Sequence, residues 1–281
     1  MLERAHGLTI TALEAIEGLE RRVVTNDGGR LKLEWGALRT RPVDGVRDLL
    51  WWEDGRLLGF LGIYSHGWPA LELAGMVDPG ARRRGIGRKL FDAALTICRA
   101  NGAERLLLVV PRASLAGREF AASRGLAYEH SEHAMTLRAR PAEGSTDPTL
   151  RLREATPDDI ADLSRLFADG FGSARVDNGK PLVDDRSRTL MIERDGETVG
   201  TVCDVREGGR GAVYGFVVAS EWRGRGIGRD ALRRVADELF DAGAAHVDLE
   251  VETANDRALG LYTSVGFSQV ATDDYYEVKL A

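Results

Sequence analysis

The chain has little of what marks secreted and membrane proteins. Its 281 residues include only two cysteines, Cys98 and Cys203, too few for a disulfide framework. No apolar stretch approaches the roughly 20 residues of a membrane-spanning helix. No basic segment followed by an apolar run reads as a leader. These absences predict a globular protein of a reducing, cytoplasmic compartment.

An excess of positive charge is also lacking. The chain carries 38 Lys and Arg against 44 Asp and Glu, which gives a net charge of −6. This balance favours neither nucleic acid nor an anionic membrane surface as a partner. His130 and His133 are spaced like metal ligands, but no convincing third ligand accompanies them, so no metal site is expected.

What the chain does contain is a glycine-rich turn, Arg223-Gly224-Arg225-Gly226-Ile227-Gly228. The apolar run at 212–218 before it predicts a buried strand. After it, apolar residues recur at helical spacing over 232–239, and Gly243 is expected to end that helix. The order is therefore strand, glycine turn and helix.

This order predicts an anion site. A helix start has unpaired backbone N–H groups and a partial positive charge, and glycines let an anion approach the backbone closely. The side chains of Arg223, Arg225 and Arg229 add donors that suit phosphate oxygens. The turn matches neither the Walker pattern nor the dinucleotide fingerprint, so a different phosphate-containing ligand is expected.

A second motif follows the helix. Residues 246–252 alternate strictly between polar and apolar, which predicts a strand. The spacing Arg223-x-x-Gly226-x-Gly228, then Asn255-x-x-Ala258-x-x-Leu261-Tyr262-x-x-x-Gly266-Phe267, resembles that of the Gcn5-related N-acetyltransferases (GNAT family). The combination is far more specific than either half alone.

The resemblance implies acetyl-coenzyme A as the cosubstrate, with its pyrophosphate in the glycine turn and its pantetheine arm along the strand before it. Asn255 would contact the coenzyme, and Tyr262 would lie near the sulfur. The cofactor-binding residues implied in this way are Phe216, Val217, Val218, Arg223, Gly224, Arg225, Gly226, Ile227, Gly228, Arg229 and Asn255.

The turn is repeated within the chain. Arg82 to Arg88 matches Arg223 to Arg229, with Gly85 and Gly226 lying 141 residues apart. We therefore expect an α/β protein with two GNAT-like domains, each a central mixed β-sheet flanked by helices, at 1–140 and 150–281, joined by a linker at 141–149. A candidate second coenzyme A site in the first copy comprises Met76, Val77, Arg82, Arg84, Gly85, Ile86 and Gly87.

The two copies differ where chemistry is expected. At the positions of Asn255 and Tyr262, the first copy has Ser114 and Ala121, and Val109 stands at the place of Glu250. The second domain is therefore predicted to be catalytic. The first is predicted to be a degenerate copy that either binds a coenzyme or only completes the architecture.

Acetyl transfer to an amine needs a base for the amine and benefits from an acid for the leaving thiolate. Glu250 is the predicted base, because the acidic row at 248, 250 and 252 is costly inside a covered sheet unless it faces a polar cleft. A glutamate at this place is also implied by a resemblance to ribosomal-protein alanine acetyltransferases, carried by 249–251 and 274–276. Tyr262 is the predicted acid. An edge strand, with solvated carboxylates, is the competing interpretation.

The predicted function is acetyl transfer from acetyl-coenzyme A to a primary amine, most simply that of a small metabolite, with a polar loop at 172–186 facing the acceptor. Tandem copies with a weakened first site are similar to those of mycothiol synthases. Two alternatives stay open: acetylation of a protein N-terminus, and a regulatory protein that binds coenzyme A without turnover. Either a monomer with pseudo-dimeric domains or a homodimer is compatible with the sequence.

Overall fold

The computed structural model describes residues 1–65, 70–142, 144, 146–172 and 182–280. The strands within these ranges are β1 (Leu2–Ala5), β2 (Asp48–Glu53), β3 (Arg56–Tyr64), β4 (Ala70–Val77), β5 (Arg105–Pro111), β6 (Ala127–Leu137), β7 (Leu150–Glu154), β8 (Ser187–Arg194), β9 (Glu197–Glu207), β10 (Arg210–Val218), β11 (His246–Glu252) and β12 (Ser268–Val278). The α-helices are α1 (Ile10–Asp27), α2 (Trp35–Arg39), α3 (Ile86–Ala100), α4 (Leu115–Ser123), α5 (Ile160–Phe171), α6 (Ile227–Asp241) and α7 (Asp256–Val265). No helix in these ranges is long and apolar enough to cross a membrane.

The described chain forms two compact units. The first comprises residues 1–131 together with 271–281, and the second comprises residues 132–270. In the first unit the strand order is β1-β2-β3-β4-β5-β12, and in the second it is β6-β11-β10-β9-β8-β7. Each sheet is mixed, because β4 pairs with β5 and β10 pairs with β11 in parallel while the other pairings are antiparallel. The predicted fold class, two GNAT-like mixed sheets flanked by helices, is confirmed.

The unit boundaries differ from the expected division at 141–149. Residues 132–137 of β6 pair with β11 and lie in the second unit, and residues 273–278 of β12 pair with β5 and lie in the first. Each half of the chain thus gives its last strand to the sheet of the other half. Sequence position alone does not reveal this exchange, because a strand joins whichever edge offers matching hydrogen bonds and a matching apolar face.

The second unit has its core between the sheet and α6. The predicted helical stripe of Leu232, Val235, Ala236 and Leu239 packs in one cluster with Val247, Leu249 and Val251 of β11. The buried residues of α5, by contrast, are not part of that cluster, although α5 packs on β9 and β10. The two helices therefore cover opposite faces of the sheet, and the polar face of β11 lies on the side of α5.

Candidate active site

The centre of the second unit is an opening between two parallel strands. The ladder between β10 and β11 runs from Arg210 and His246 to Ala212 and Asp248. Both strands continue beyond it, to Val218 and Glu252. Where two parallel strands stop pairing, they separate. Their backbone N–H and C=O groups are then available to a ligand.

A bulge in β10 produces this opening. Gly215 has a φ of +54°, and the pairing with β9 shifts register between Tyr214 and Val217. A Cβ on Gly215 would lie 2.9 Å from Cζ of Phe167, so glycine is required both by the backbone conformation and by the close approach of α5. The pairing with β9 resumes at Val217 and Val218, while the ladder with β11 has already ended at Ala212. The residues predicted to hold the pantetheine arm, Phe216 to Val218, therefore lie beyond the end of the β11 ladder.

The glycine turn comes next, at the start of α6. Gly224 and Gly226 have φ of +79° and +84°, and Gly226 is the N-cap of the helix. Within the described residues, no acceptor is hydrogen-bonded to the backbone N–H groups of 224–228. Ile227 is itself buried in the core, so its contribution at this place is its backbone. Consecutive unbonded N–H groups at a helix start form a concave anion site.

The first arginine of the turn has partners inside the protein. Arg223 donates from Nε to the Val218 carbonyl at 2.7 Å and from Nη2 to Asp169 at 2.7 Å. Asp169 also accepts from the N–H of Ser220 at 2.9 Å. In this structure Arg223 therefore braces the turn against the end of α5 and does not extend a free guanidinium toward a ligand.

The other two predicted arginines are exposed beside the turn. Arg225 lies over the Trp222 ring at 4.8 Å and donates to the Glu221 carbonyl at 3.1 Å. Arg229 donates to Oγ of Ser264 on α7 at 3.0 Å. Neither arginine is paired with a carboxylate in the described part of the chain, so both positive charges remain available near the N–H groups.

A further arginine was missed in the sequence analysis. Nη2 of Arg257, in the first turn of α7, lies 3.8 Å from the place that a Cβ on Gly224 would take. A sequence signal existed: Arg257 is four residues before Leu261, so the two lie on one face of the predicted helix.

Two predicted residues lie on α7. Asn255 is the N-cap, and its Oδ1 accepts from the N–H of Ala258 at 3.1 Å, which leaves the exposed side-chain amide group able to donate. Tyr262 is 8% exposed and packs edge-on to Phe267. Burial raises the pKa of Tyr262 to about 12, so the phenol stays protonated at neutral pH.

The predicted base lies on the other face of the sheet. Because Val247, Leu249 and Val251 point toward α6, the alternation of a strand places Glu250 on the side of α5. Strand β11 lies between β6 and β10, so the edge-strand interpretation does not hold. Glu250 is half-buried, and its neighbour on β6 is the small residue Ala134.

The neighbouring carboxylates have other environments. Asp248 accepts hydrogen bonds from Thr136 and Arg210, both at 2.7 Å, so its two oxygens hold the polar face together. Glu252 is exposed at the end of the strand. Glu250 lies between these two carboxylates on the strand and is half-buried.

The first unit repeats this skeleton with changed details. Gly85 has a φ of +82° at the N-cap of α3, but Arg83 takes the place of Gly224 and adopts a φ of +63°. Arg82 forms a two-pronged pair with Asp27, at 2.8 Å for each oxygen, and donates to the Val77 carbonyl. Arg84 donates to Glu53 at 2.6 Å. The arginines of this turn are therefore largely neutralised by carboxylates.

The remaining residues of the candidate second site lie around that turn. Met76 and Ile86 are buried in the apolar core, and Gly87 packs against Val77 and Phe120, with a Cβ built there 3.6 Å from each. Only backbone groups of this set are placed to contact an anion.

The polar face is also closed in the first unit. Val109, at the place of Glu250, has Tyr275 of β12 as its neighbour, and Tyr275 is 1% exposed. The Tyr275 hydroxyl accepts from Lys32, which also pairs with Glu72 at 3.4 Å. His130 stacks on the Tyr275 ring at 4.3 Å. In the first unit, bulky and paired side chains therefore lie on the face of the sheet that carries Glu250 and Ala134 in the second unit.

Two sequence features fall elsewhere. Residues 274–276, part of the resemblance to ribosomal-protein alanine acetyltransferases, belong to the first unit, whereas Glu250 belongs to the second. Residues 173–181 of the predicted acceptor loop lie outside the described residues. Within the described ranges, no group of three or more His, Cys, Asp or Glu residues is arranged to hold a metal ion.

Comparison with known proteins identifies the same two regions. The model of the acetyltransferase (GNAT) family matches residues 15–126 and 153–267. Mycothiol acetyltransferase of Clavibacter michiganensis is 33% identical over 79% of this chain and 77% of its own. Mycothiol acetyltransferase of Thermomonospora curvata is 31% identical over 96% of this chain and 95% of its own.

Solved structures share the fold at low identity. A GCN5-related N-acetyltransferase from Sphaerobacter thermophilus superposes with a TM-score of 0.79 and 18% identity, over 100% of this chain and 95% of that one. A tandem GNAT protein from the clavulanic acid biosynthesis pathway superposes with a TM-score of 0.72 and 18% identity, over 100% and 99%.

Proposed function

Because the chain belongs to the GNAT family of acetyltransferases, we propose that its second unit moves the acetyl group of acetyl-coenzyme A to the primary amine of a small metabolite. The observation that carries the proposal is the run of unbonded N–H groups at 224–228, directly beside the gap between β10 and β11. An anion site next to an open strand edge suits a ligand with a diphosphate at one end and an amide-containing arm at the other.

The reaction requires two proton transfers. Glu250 accepts a proton from the attacking amine, whose nitrogen forms a bond to the thioester carbon. The C–S bond breaks, and Tyr262 gives its proton to the leaving sulfur. The products are an amide and the free thiol of coenzyme A, with no acyl-enzyme intermediate.

The geometry supports this division of roles. Tyr262 packs among the α6-side core, while Glu250 lies on the side of α5. A thioester in the gap between the strands would be reached by the acid from one face and by the base from the other. The Tyr262 phenol, with its pKa raised by burial to about 12, is protonated whenever the thiolate leaves.

For the acceptor, we propose a mycothiol precursor that carries a free amine. The support is the likeness to mycothiol acetyltransferases along nearly the whole chain. The polar face around Glu250, with Asp248, Thr136 and Arg210 hydrogen-bonded beside it, suits a hydroxyl-rich, cationic molecule rather than an apolar one.

For the first unit, we propose coenzyme binding without turnover. Ala121 and Val109 provide neither acid nor base, and Tyr275 fills the region where an acceptor would lie. Its turn keeps unbonded N–H groups, so a coenzyme could still bind there.

The test is thiol release from acetyl-coenzyme A with a panel of amines: a cysteinyl amino-sugar, polyamines, aminoglycosides, amino acids and short peptides. We expect turnover with the cysteinyl amino-sugar. Glu250→Gln and Tyr262→Phe should each lower kcat about 10²- to 10⁴-fold.

Glu252→Gln is the matched control, because Glu252 is an exposed carboxylate on the same face of the same strand. It should leave kcat unchanged. Unaltered turnover in both site variants would show that the roles are misassigned. Coenzyme binding without turnover of any amine in the panel would favour a regulatory protein. Turnover with peptides alone would favour a protein N-terminus as the acceptor.

A further inference from the structure

One face of α7 lies against the glycine turn and the start of α6. A Cβ on Gly228 would lie 3.3 Å from Cδ2 of Leu261, and Arg229 donates to Ser264. Together with Arg257 beside Gly224, the α7 contacts fall at positions i, i+4 and i+7. This spacing is one helical stripe, so the packing of Leu261 and Ser264 fixes the side of α7 from which Arg257 extends.

The Arg257 guanidinium is available to a ligand in the part of the chain that the structure describes. The side chain is exposed, and within the described residues no carboxylate or carbonyl accepts a hydrogen bond from it. Arg223, by contrast, is held by Asp169 and Val218. Arg257 therefore places a guanidinium beside Gly224 that can bind an incoming anion, in addition to those of Arg225 and Arg229.

The first unit provides an internal comparison. The position that corresponds to Arg257 is Ala116, on α4, and the position that corresponds to Gly224 is Arg83, which pairs with Glu119 at 3.6 Å. The first unit keeps an apolar packing residue at the place of Leu261, namely Phe120. A Cβ on Gly87 would lie 3.6 Å from Phe120, just as a Cβ on Gly228 would lie 3.3 Å from Leu261. The two turns thus share an N-cap glycine but differ in free positive charge: Ala116 stands at the place of Arg257, and Arg84, at the place of Arg225, is paired with Glu53.

We propose that Arg257 is a phosphate ligand of the coenzyme in the second unit, and that Ala116 makes the first turn the weaker site. The proposal rests on the proposed function, because it takes the glycine turn as the place of the coenzyme phosphates. A guanidinium donates two parallel hydrogen bonds to phosphate. Losing such a charged contact weakens binding about tenfold or more.

The experiment is calorimetric titration of coenzyme A into variants in which one turn is closed. Gly85→Asp and Gly226→Asp each place a carboxylate at an N-cap, where it repels phosphate. Both positions have a positive φ, which strains aspartate although aspartate adopts this region more often than most residues, so the melting temperature of each variant is measured first. Neither position is crowded, since a Cβ on Gly226 meets nothing within 4 Å and one on Gly85 meets only Arg88, at 4.0 Å. With the first turn closed by Gly85→Asp, we expect Arg257→Gln to raise the Kd of coenzyme A at least tenfold. With the second turn closed by Gly226→Asp, we expect Arg257→Gln to leave Kd unchanged.

Three further arms sharpen the result. Ala116→Arg with Gly226→Asp should lower Kd at the first turn, and Arg257→Lys should recover part of the affinity. Arg151→Gln, which removes an exposed arginine from β7 at the far edge of the sheet, should change nothing. Titration with 3′-dephospho-coenzyme A shows which phosphate Arg257 contacts. If Arg257→Gln still raises the Kd of this ligand, the contact is with the diphosphate. If it no longer does, the contact is with the 3′-phosphate.

An unchanged Kd in Arg257→Gln, with a normal melting temperature, would overturn the role of Arg257 and leave the proposed function standing. No coenzyme binding by the unmodified protein at either turn would instead overturn the proposed function itself.

Discussion

A single methyl group on Gly200 should disturb both stability and coenzyme use. Gly200 lies on β9 directly opposite Val218 of β10 and is buried. A Cβ at this position would lie 2.4 Å from the Val217 carbonyl oxygen and 3.3 Å from Cα of Val218. Backbone cannot rotate away as a side chain can, so Gly200→Ala must push β10 outward by about 1 Å to reach ordinary contact distance.

The expected magnitude follows from overpacking. Such insertions cost about 1–3 kcal/mol, which corresponds to a fall in melting temperature of roughly 2–12 °C for a chain of this size. The displaced residues are those proposed to hold the pantetheine arm, and misplacement by about 1 Å lowers kcat/KM about 10²-fold.

The assays are thermal unfolding and thiol release. Gly260→Ala is the matched control, because Gly260 lies within α7 with nothing within 4 Å of its added Cβ, and it should stabilise the helix by about 1 kcal/mol. A lower melting temperature with unchanged kcat/KM would refute the role of the 217–218 backbone. An unchanged melting temperature would refute the steric argument itself.

Three further results are expected. Since the pKa of Tyr262 is about 12 and the acid acts when protonated, kcat should show no descending limb up to pH 10; a limb below pH 10 that Tyr262→Phe abolishes would contradict this. Deleting residues 271–281 should unfold the first unit, because it removes the strand paired with β5; intact near-ultraviolet circular dichroism would contradict it. Arg153 holds the pKa of Asp159 well below its usual range in the folded protein. The ionised carboxylate therefore stabilises the fold above pH about 4, the pKa of aspartate in an unfolded chain, and this stabilisation is lost as pH falls through the pKa of the folded state. Asp159→Asn should therefore cost about 0.5–2 kcal/mol in urea unfolding at pH 7, a difference that should narrow below pH 4.

Local pattern was enough to predict the strand, turn and helix around Gly226. Glycines at positive φ, the apolar run before them and the helical stripe after them all describe one short segment, and each part agrees with the others. The faces of β11 were also predictable, because alternation alone separates Leu249 from Glu250.

What sequence could not reveal depends on residues far apart in the chain. Nothing at Arg223 indicates that Asp169 will receive its guanidinium, since the pair spans 54 residues and forms only when α5 packs on β10. The position of Tyr275 beside Val109 in the first unit could not be predicted for the same reason. Predicting it requires knowing that β12 pairs with β5. Arg257 is different: helical spacing would have found it had the α7 stripe been traced back from Leu261.

The exchange of strands determines when the first sheet can be completed during synthesis. The ribosome makes the chain from its N-terminus, so β1 to β5 emerge long before residues 273–278 that complete their sheet. Until then β5 has a bare hydrogen-bonding edge, which is the kind of surface that pairs with other chains. The nascent first unit therefore lacks the strand that pairs with β5 until the residues of the second unit have been made.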